Sequence, residues 1–372
     1  MKILFISRAY PPTVGGIENQ NAAIATWLGR KAEVTTLANR RGKRFLPVFL
    51  PYAAIWAFFA AFRVDAVLLG DGVLAPIGLF LRLTHPRTPV LSVIHGLDLT
   101  FGRKEGLLAK AYQAINLPSL RHLDRLLAVS RQTKDVAVSI GIPEKSISVI
   151  PNGIDPDDVL EVHDRTNLDR LLGEDTKSRF VILRVGRYVK HKGVEWFIRN
   201  VIPKLPDNVL FVAAGAVVRK KTAGDHDYFP LCETAVKELG LETKVRLLTN
   251  LPQNDLRILL NTADIAVSPN IPVPGSMEGF GINVLEASVC GLPVVASRLE
   301  GLAEAIQDGE NGRLVPPEDA DAFRDAILDF MGNTTERKAF GARAAAHTRK
   351  HYHWDAISDR YMEVLQQEIS NI

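Results

Sequence analysis

Short strand-like apolar runs alternate with helical stretches from one end of the chain to the other, which restricts it to parallel sheets assembled from βαβ units. Two such series are present. The first places strands over residues 3–7, 34–37, 66–69, 90–94, 125–129 and 148–150, with helices over 18–28, 52–62, 107–120 and 132–140. Residues 151–156, Pro-Asn-Gly-Ile-Asp-Pro, are turn chemistry throughout, and 157–178 are highly charged without a strand. The second series places strands over 180–185, 209–213, 245–248, 265–267, 294–296 and 312–315. At 372 residues the chain can bury two cores. The expectation is an α/β protein with one domain over 1–165 and another over 166–353.

Charge divides along nearly the same line. Residues 1–150 hold 19 Lys and Arg against 9 Asp and Glu, whereas 151–372 hold 26 against 33. Unless the asymmetry is idle surface charge, the first half meets something anionic, such as nucleic acid or an acidic lipid surface. Strands that interleave aromatic and basic residues, as nucleic-acid platforms do, are missing from the pattern, so no nucleic acid is expected as a partner. Cys232 and Cys290 cannot build a disulfide framework, and no Cys/His cluster has zinc spacing. The first seven residues read as a strand and not as a signal peptide. A cytoplasmic protein is expected.

Residues 45–62 carry no charge, with Lys43-Arg44 before them and Arg63 after. Pro47 and Pro51 are expected to break the first part, leaving a helix too short to span a bilayer. It would be a packed helix or one lying on a membrane surface, with Arg40, Arg41, Lys43 and Arg44 as headgroup contacts.

Four features carry chemistry. Gly15-Gly16, directly after the first strand, lets backbone approach a ligand at the start of a helix. Arg187 and Lys192 lie on a strand-to-helix loop, and together they can neutralise a diphosphate as a sugar departs. Glu278 and Glu286 bracket a glycine turn and a helix start, where the N–H groups of Phe280, Gly281 and Ile282 suit phosphate and the two carboxylates suit sugar hydroxyls. His95 ends a strand of the first half, at the edge where open α/β sheets bind ligands. Asp155–Asp157, Asp225–Asp227 and Asp319–Asp321 have Asp-x-Asp spacing, and each reads as solvated loop.

Taken in order, these residues resemble the retaining glycosyltransferases of family 4. The resemblance covers nearly the whole chain: Gly15-Gly16, His95, Ser130-Arg131, the turn from Pro151 to Asp155, Arg187 with Lys192, the E-x7-E pair Glu278 and Glu286, and Gly291 to Ser297. It implies a GT-B fold, two Rossmann-like domains facing each other across a cleft, with the C-terminal helix over 354–372 packing back on the first. It also implies roles. Arg187 and Lys192 would hold the donor diphosphate with Gly16 close by, Glu286 the ribose and Glu278 the transferred sugar, and His95 would sit beside the reacting centre. The reaction implied is metal-independent and retains configuration, by front-face attack assisted by the leaving phosphate. No cofactor is expected; the nucleoside-diphosphate sugar, UDP ahead of GDP, is substrate.

The sequence departs from the family in two places. Glu300-Gly301-Leu302-Ala303 stands where Gly-Gly-Ile-Pro is usual, and residues 219–226 replace a tight glycine turn. A lipid-linked or saccharide acceptor, with an anionic membrane surface as a further partner, fits the basic first half. A soluble acceptor, and an epimerase or phosphorylase on the same fold, stay open on the residues alone.

Overall fold

The structure, a computed structural model, describes residues 1–13, 15–100, 107–217 and 228–371. It divides into two compact units, Met1–Gly153 with Tyr352–Ile372, and Ile154–His351. The division falls at Gly153, earlier than the 165/166 boundary expected from the charged stretch. That stretch is no linker: helix α7 below belongs wholly to the second unit.

The first unit holds strands β1 (Lys2–Ser7), β2 (Glu33–Ala38), β3 (Ala66–Leu69), β4 (Val90–Ile94), β5 (Arg125–Ala128) and β6 (Ile147–Val149), all parallel in the order β2-β1-β3-β4-β5-β6. Its helices are α1 (Gly16–Leu28), α2 (Leu46–Ala61), α3 (Ala75–Thr84), α4 (Leu97–Thr100), α5 (Leu107–Arg121) and α6 (Arg131–Ser139). Side chains alternate across the sheet, so β1 sends Leu4 and Ile6 into one core and Ile3 and Phe5 into the other. Covered on both faces, these strands read as unbroken apolar runs.

Two helices differ from expectation. Helix α2 starts at Leu46 and contains both prolines. Pro47 lies in the first turn, where the missing N–H has no intrahelical partner to lose, and Pro51 sits inside. With the 3-10 turn before it, the helical run Lys43–Ala61 is long and apolar enough to cross a membrane by length and composition. Yet α2 packs Phe49, Ala53, Ala57 and Ala61 into the sheet's core. Helix α3 lies outside the expected elements; its sequence, APIGLFLRLT, is short, with Pro76 at its start, Gly78 inside and only Arg82 and Thr84 polar, although the buried Ala75, Gly78 and Leu81 do keep helical spacing.

The second unit holds β7 (Phe180–Val185), β8 (Val209–Gly215), β9 (Val245–Thr249), β10 (Ile265–Ser268), β11 (Val294–Ser297) and β12 (Arg313–Val315), parallel in the order β12-β11-β10-β7-β8-β9. Helices α7 (Arg165–Leu172), α8 (Val194–Asn200), α9 (Tyr228–Glu238), α10 (Gln253–Thr262), α11 (Ile282–Val289), α12 (Leu302–Ala305), α13 (Ala320–Gly332) and α14 (Thr334–Tyr352) accompany it. The loop over 219–226 lies outside the described residues.

The last helix, α15 (Trp354–Ser370), belongs to the first unit, where Trp354, Ile357, Tyr361 and Leu365 enter the core beside α1. Arg125 Nε fixes it by donating to Glu368 Oε1 at 2.8 Å. The Pro-Asn-Gly turn has a packing reason as well: a Cβ on Gly153 would stand 2.5 Å from the Trp354 ring.

Candidate active site

In the second unit, β7 delivers the chain into a loop that carries Arg187 on an exposed position and ends in the 3-10 turn Lys190–Lys192. Lys192 is buried, and its Nζ donates to Glu278 Oε2 in an ion pair. Asn270 Nδ2 donates to the same oxygen at 3.1 Å. Burial pushes the Glu278 carboxyl up, but the Lys192 ammonium and its hydrogen bond outweigh that and hold it below the usual range. Burial lowers Lys192 in turn, with Glu278 opposing. His191 Nδ1 shares a 2.7 Å hydrogen bond with Ser276 Oγ, and burial, then the Lys192 charge, bring its pKa down to about 4. The ring is therefore neutral at physiological pH.

Glu278 is followed by Gly279 and the buried Phe280, then by Gly281, which precedes α11 in the left-handed region at φ 81°. Ile282 opens that helix and Glu286 follows one turn in. The Glu286 carboxyl is pushed up to about 7 by desolvation, with Asp158 adding and Lys192 opposing. Lys192 thus acts on both glutamates of the E-x7-E pair. Arg187, in turn, is close enough to depress both His191 and Lys192. The four charged residues singled out in this unit form one electrostatic cluster.

Two further residues complete it. Glu300 adopts φ 48° at the position where the family pattern carries glycine, and its Oε2 accepts from the Glu278 N–H at 2.5 Å. Arg184, fully buried in β7, donates through Nη1 to the carbonyls of Gly186 and Arg187. Its Nε and Nη2 have no partner among the described residues. A cation inside an apolar strand gave no signal that sequence patterning could use.

In the first unit, Gly15 precedes α1 and Gly16 opens it; a Cβ on Gly16 would meet nothing within 4 Å. His95 follows β4 and is buried, with Nε2 3.0 Å from the Gly70 carbonyl oxygen. The Asp98 carboxylate accepts from the backbone N–H groups of His95 at 3.0 Å and Gly72 at 3.0 Å. Beside it, Arg8 Nε donates to Asp71 Oδ1 at 2.9 Å. Burial pushes the Asp71 carboxyl above its usual value despite the Arg8 charge. Tyr112 donates to the Asp98 carbonyl at 2.6 Å, and Asn116 to the Gly72 carbonyl at 2.7 Å. His95 is a candidate by its strand-end position; Arg8 and Asp71, which follow β1 and β3 and lie in the same buried cluster, meet the same rule and become candidates only with the structure.

Arg40, Arg41, Lys43 and Arg44 are all exposed. Asn39 anchors their loop by donating to the carbonyls of Arg8 at 3.1 Å and Gly42 at 3.0 Å. Of the Asp-x-Asp strings, Asp155 caps the 3-10 turn that follows it, Asp319 caps helix α13, and Asp225–Asp227 lies outside the described residues. Among the described residues no three His, Cys, Asp or Glu side chains gather as a metal site would need.

The family model for Glycosyltransferase Family 4 matches residues 14–158, and that for Glycosyl transferases group 1 matches 165–347. An uncharacterised glycosyltransferase of Methanocaldococcus jannaschii is 30% identical over 98% of this chain and 97% of its own. The chain is a group 1 glycosyltransferase of family 4. This glycosyltransferase is also 26% identical, over 98% of both chains, to the GDP-mannose-dependent alpha-(1-6)-phosphatidylinositol monomannoside mannosyltransferase of Mycolicibacterium smegmatis. Its fold matches Anabaena HepE, solved with UDP and glucose, at a TM-score of 0.77 and 20% identity, covering 99% of this chain and 100% of that one.

Proposed function

We propose that this glycosyltransferase moves a hexose, with retention of configuration and without a metal, from a nucleoside-diphosphate sugar to a lipid-linked or saccharide acceptor of the cell envelope. The observation that carries the reading is the cluster in the second unit: Lys192 tied to Glu278, with Arg187 exposed beside them and Glu286 within electrostatic reach. Arg187 and Lys192 supply two cations for the charge that grows on a departing diphosphate. Glu286, half-buried and with no hydrogen bond to a described residue, is left to accept from ribose hydroxyls. Glu278 takes the transferred sugar, and the helix start over Phe280, Gly281 and Ile282 faces phosphate.

In the first unit, the family resemblance gives Gly16, where a Cβ would meet nothing within 4 Å, a place close to the donor, and gives His95 a part in the transfer step. The phosphatidylinositol monomannoside in the mycobacterial relative's name and the lipopolysaccharide core mannosyltransferase LpsB of Rhizobium meliloti, 29% identical over 63% of this chain, support a membrane-bound acceptor. The enzyme would work at the inner face of the cytoplasmic membrane.

The test is thermal shift and calorimetric titration with UDP, GDP, ADP and their sugars, on wild type and Glu286→Ala. One nucleotide should bind, Glu286→Ala should weaken it, and EDTA should leave binding and transfer unchanged. No binding by either protein would remove the physical basis of the donor site. Donor turnover with no acceptor present would point to an epimerase instead.

A further inference from the structure

Helix α2 presents a face that the fold does not use. Its sheet-side residues Phe49, Ala53 and Ala57 are 4%, 0% and 0% exposed, while Val48, Tyr52, Ile55, Phe59 and Phe62 are 57%, 55%, 64%, 65% and 68% exposed. The spacing of the exposed set, four, three, four and three residues, is one unbroken stripe along a helix. The stripe continues onto α3. Phe58 joins Phe59 and Phe62 to Phe80 through ring contacts at 5.3, 5.6 and 5.9 Å, and beyond Phe80 lies Leu83, 74% exposed. A contiguous exposed apolar surface of this kind marks a docking site.

Charge says what docks. Residues 34–64 contain no Asp or Glu, and neither do α3 and α5. The cations Arg40, Arg41, Lys43 and Arg44 stand at one end of the stripe and Arg63 at the other. A second copy of this chain meeting the face through a two-fold axis would bring cations against cations, with no carboxylate in the segment to answer them. An anionic lipid surface satisfies both features, taking the rings among its acyl chains and the cations among its headgroups. Spanning is ruled out by the packed opposite face, since α2 cannot cross a bilayer while Phe49, Ala53 and Ala57 fill the core of a parallel sheet.

We infer that α2 and the adjoining end of α3 form an in-plane membrane-docking face, with Tyr52, Ile55, Phe59 and Phe62 entering an anionic leaflet and Arg40 to Arg44 pairing with its phosphates. The inference deepens the lipid-linked acceptor reading and rests on it for its purpose, though its test does not.

Full-length protein is mixed with phosphatidylglycerol vesicles or with phosphatidylcholine vesicles, and the bound fraction is measured by flotation. Three proteins are compared: wild type, Tyr52→Ser/Ile55→Ser/Phe59→Ser, and Arg40→Ser/Arg41→Ser/Lys43→Ser/Arg44→Ser. Wild type should float with phosphatidylglycerol and much less with phosphatidylcholine. Each variant should bind at least about tenfold more weakly, and raised salt should abolish the residual binding of the first variant but not of the second. All substituted side chains are exposed, so the nucleotide-induced thermal shift should be the same in the three proteins, which separates failure here from failure of the donor reading. Absence of wild-type binding to phosphatidylglycerol, or equal binding by the apolar variant, would overturn the inference. So would a lipid-free dimer that the apolar variant dissolves.

Discussion

Arg184 Nη1 donates to the carbonyl oxygen of Arg187 at 3.3 Å, so the loop that presents one exposed cation is held from beneath by a second, buried one. A buried cation with two nitrogens unpartnered among the described residues is an expensive way to brace a loop. Its pKa falls to about 10 by desolvation, which leaves it charged at neutral pH beside Lys192, whose pKa it lowers.

Arg184→Met tests what that charge does. Losing the two loop hydrogen bonds destabilises, and relieving the buried charge stabilises, so the unliganded melting temperature should move by only a few degrees. Nucleotide affinity should drop about tenfold, or about 1.4 kcal/mol, because the diphosphate loses a fixed positive field. Arg184→Lys, which keeps the charge, should recover much of that loss. Calorimetry and thermal shift read both effects; a collapsed melting temperature with unchanged affinity in the folded fraction would assign Arg184 a purely structural part.

Lys192 and Glu278 should behave as a unit. Lys192→Met leaves the Glu278 carboxylate buried without its cation, which costs about 3–5 kcal/mol when a buried pair is broken. The double variant Lys192→Met/Glu278→Gln should regain a large share of that stability yet transfer no sugar. Denaturant titration of the wild type, both single variants and the double variant closes the cycle, and additive effects would show that the two side chains are not coupled.

The fold was legible because its strands are covered on both faces, and burial writes itself into sequence as unbroken apolar runs such as Phe180–Val185 and Val209–Gly215. Helix α3 was illegible for the same reason, being apolar on nearly every side. Candidate site residues were legible where one short stretch holds them together, as with Glu278 to Glu286. Arg8 and Asp71 were missed because their pairing depends on β1 lying next to β3, a strand order that composition does not encode. The charge of the first half was visible, but the apolar stripe on α2 was not: which half of a uniformly apolar helix faces water depends on the sheet it packs against.

Glu286 should impose a pH dependence between about 4.5 and 7. Its folded pKa, about 7, lies above the ordinary glutamate value of 4.5, so the folded state binds more protons in that window. Stability of the unliganded enzyme should therefore fall as pH rises through it, by up to about 3 kcal/mol, and level off above pH 7. Nucleotide affinity should move the other way, rising from pH 6 to 8 as the carboxylate ionises and becomes a better acceptor for ribose hydroxyls. Glu286→Gln is the control that subtracts the nucleotide's own titration. If wild type and Glu286→Gln show parallel pH profiles in stability and in binding, Glu286 does not titrate in this window.

Glu300 carries two opposed effects that substitution can separate. Its φ of 48° disfavours any residue with a Cβ by about 1–2 kcal/mol, which accounts for the glycine usual in the family at this position. Against that, its carboxylate accepts from the Glu278 N–H, and so holds the backbone of a residue assigned to the transferred sugar. Glu300→Gly removes both strain and hydrogen bond, and should leave the melting temperature close to wild type. Glu300→Ala keeps the strain and loses the bond, and should be the least stable of the three. Both variants free the Glu278 backbone, so, with Glu278 proposed to hold the transferred sugar, both should raise KM for the donor sugar more than they change binding of the free nucleoside diphosphate. Equal losses for sugar donor and free diphosphate would instead mean that Glu300 supports the phosphate loop as a whole.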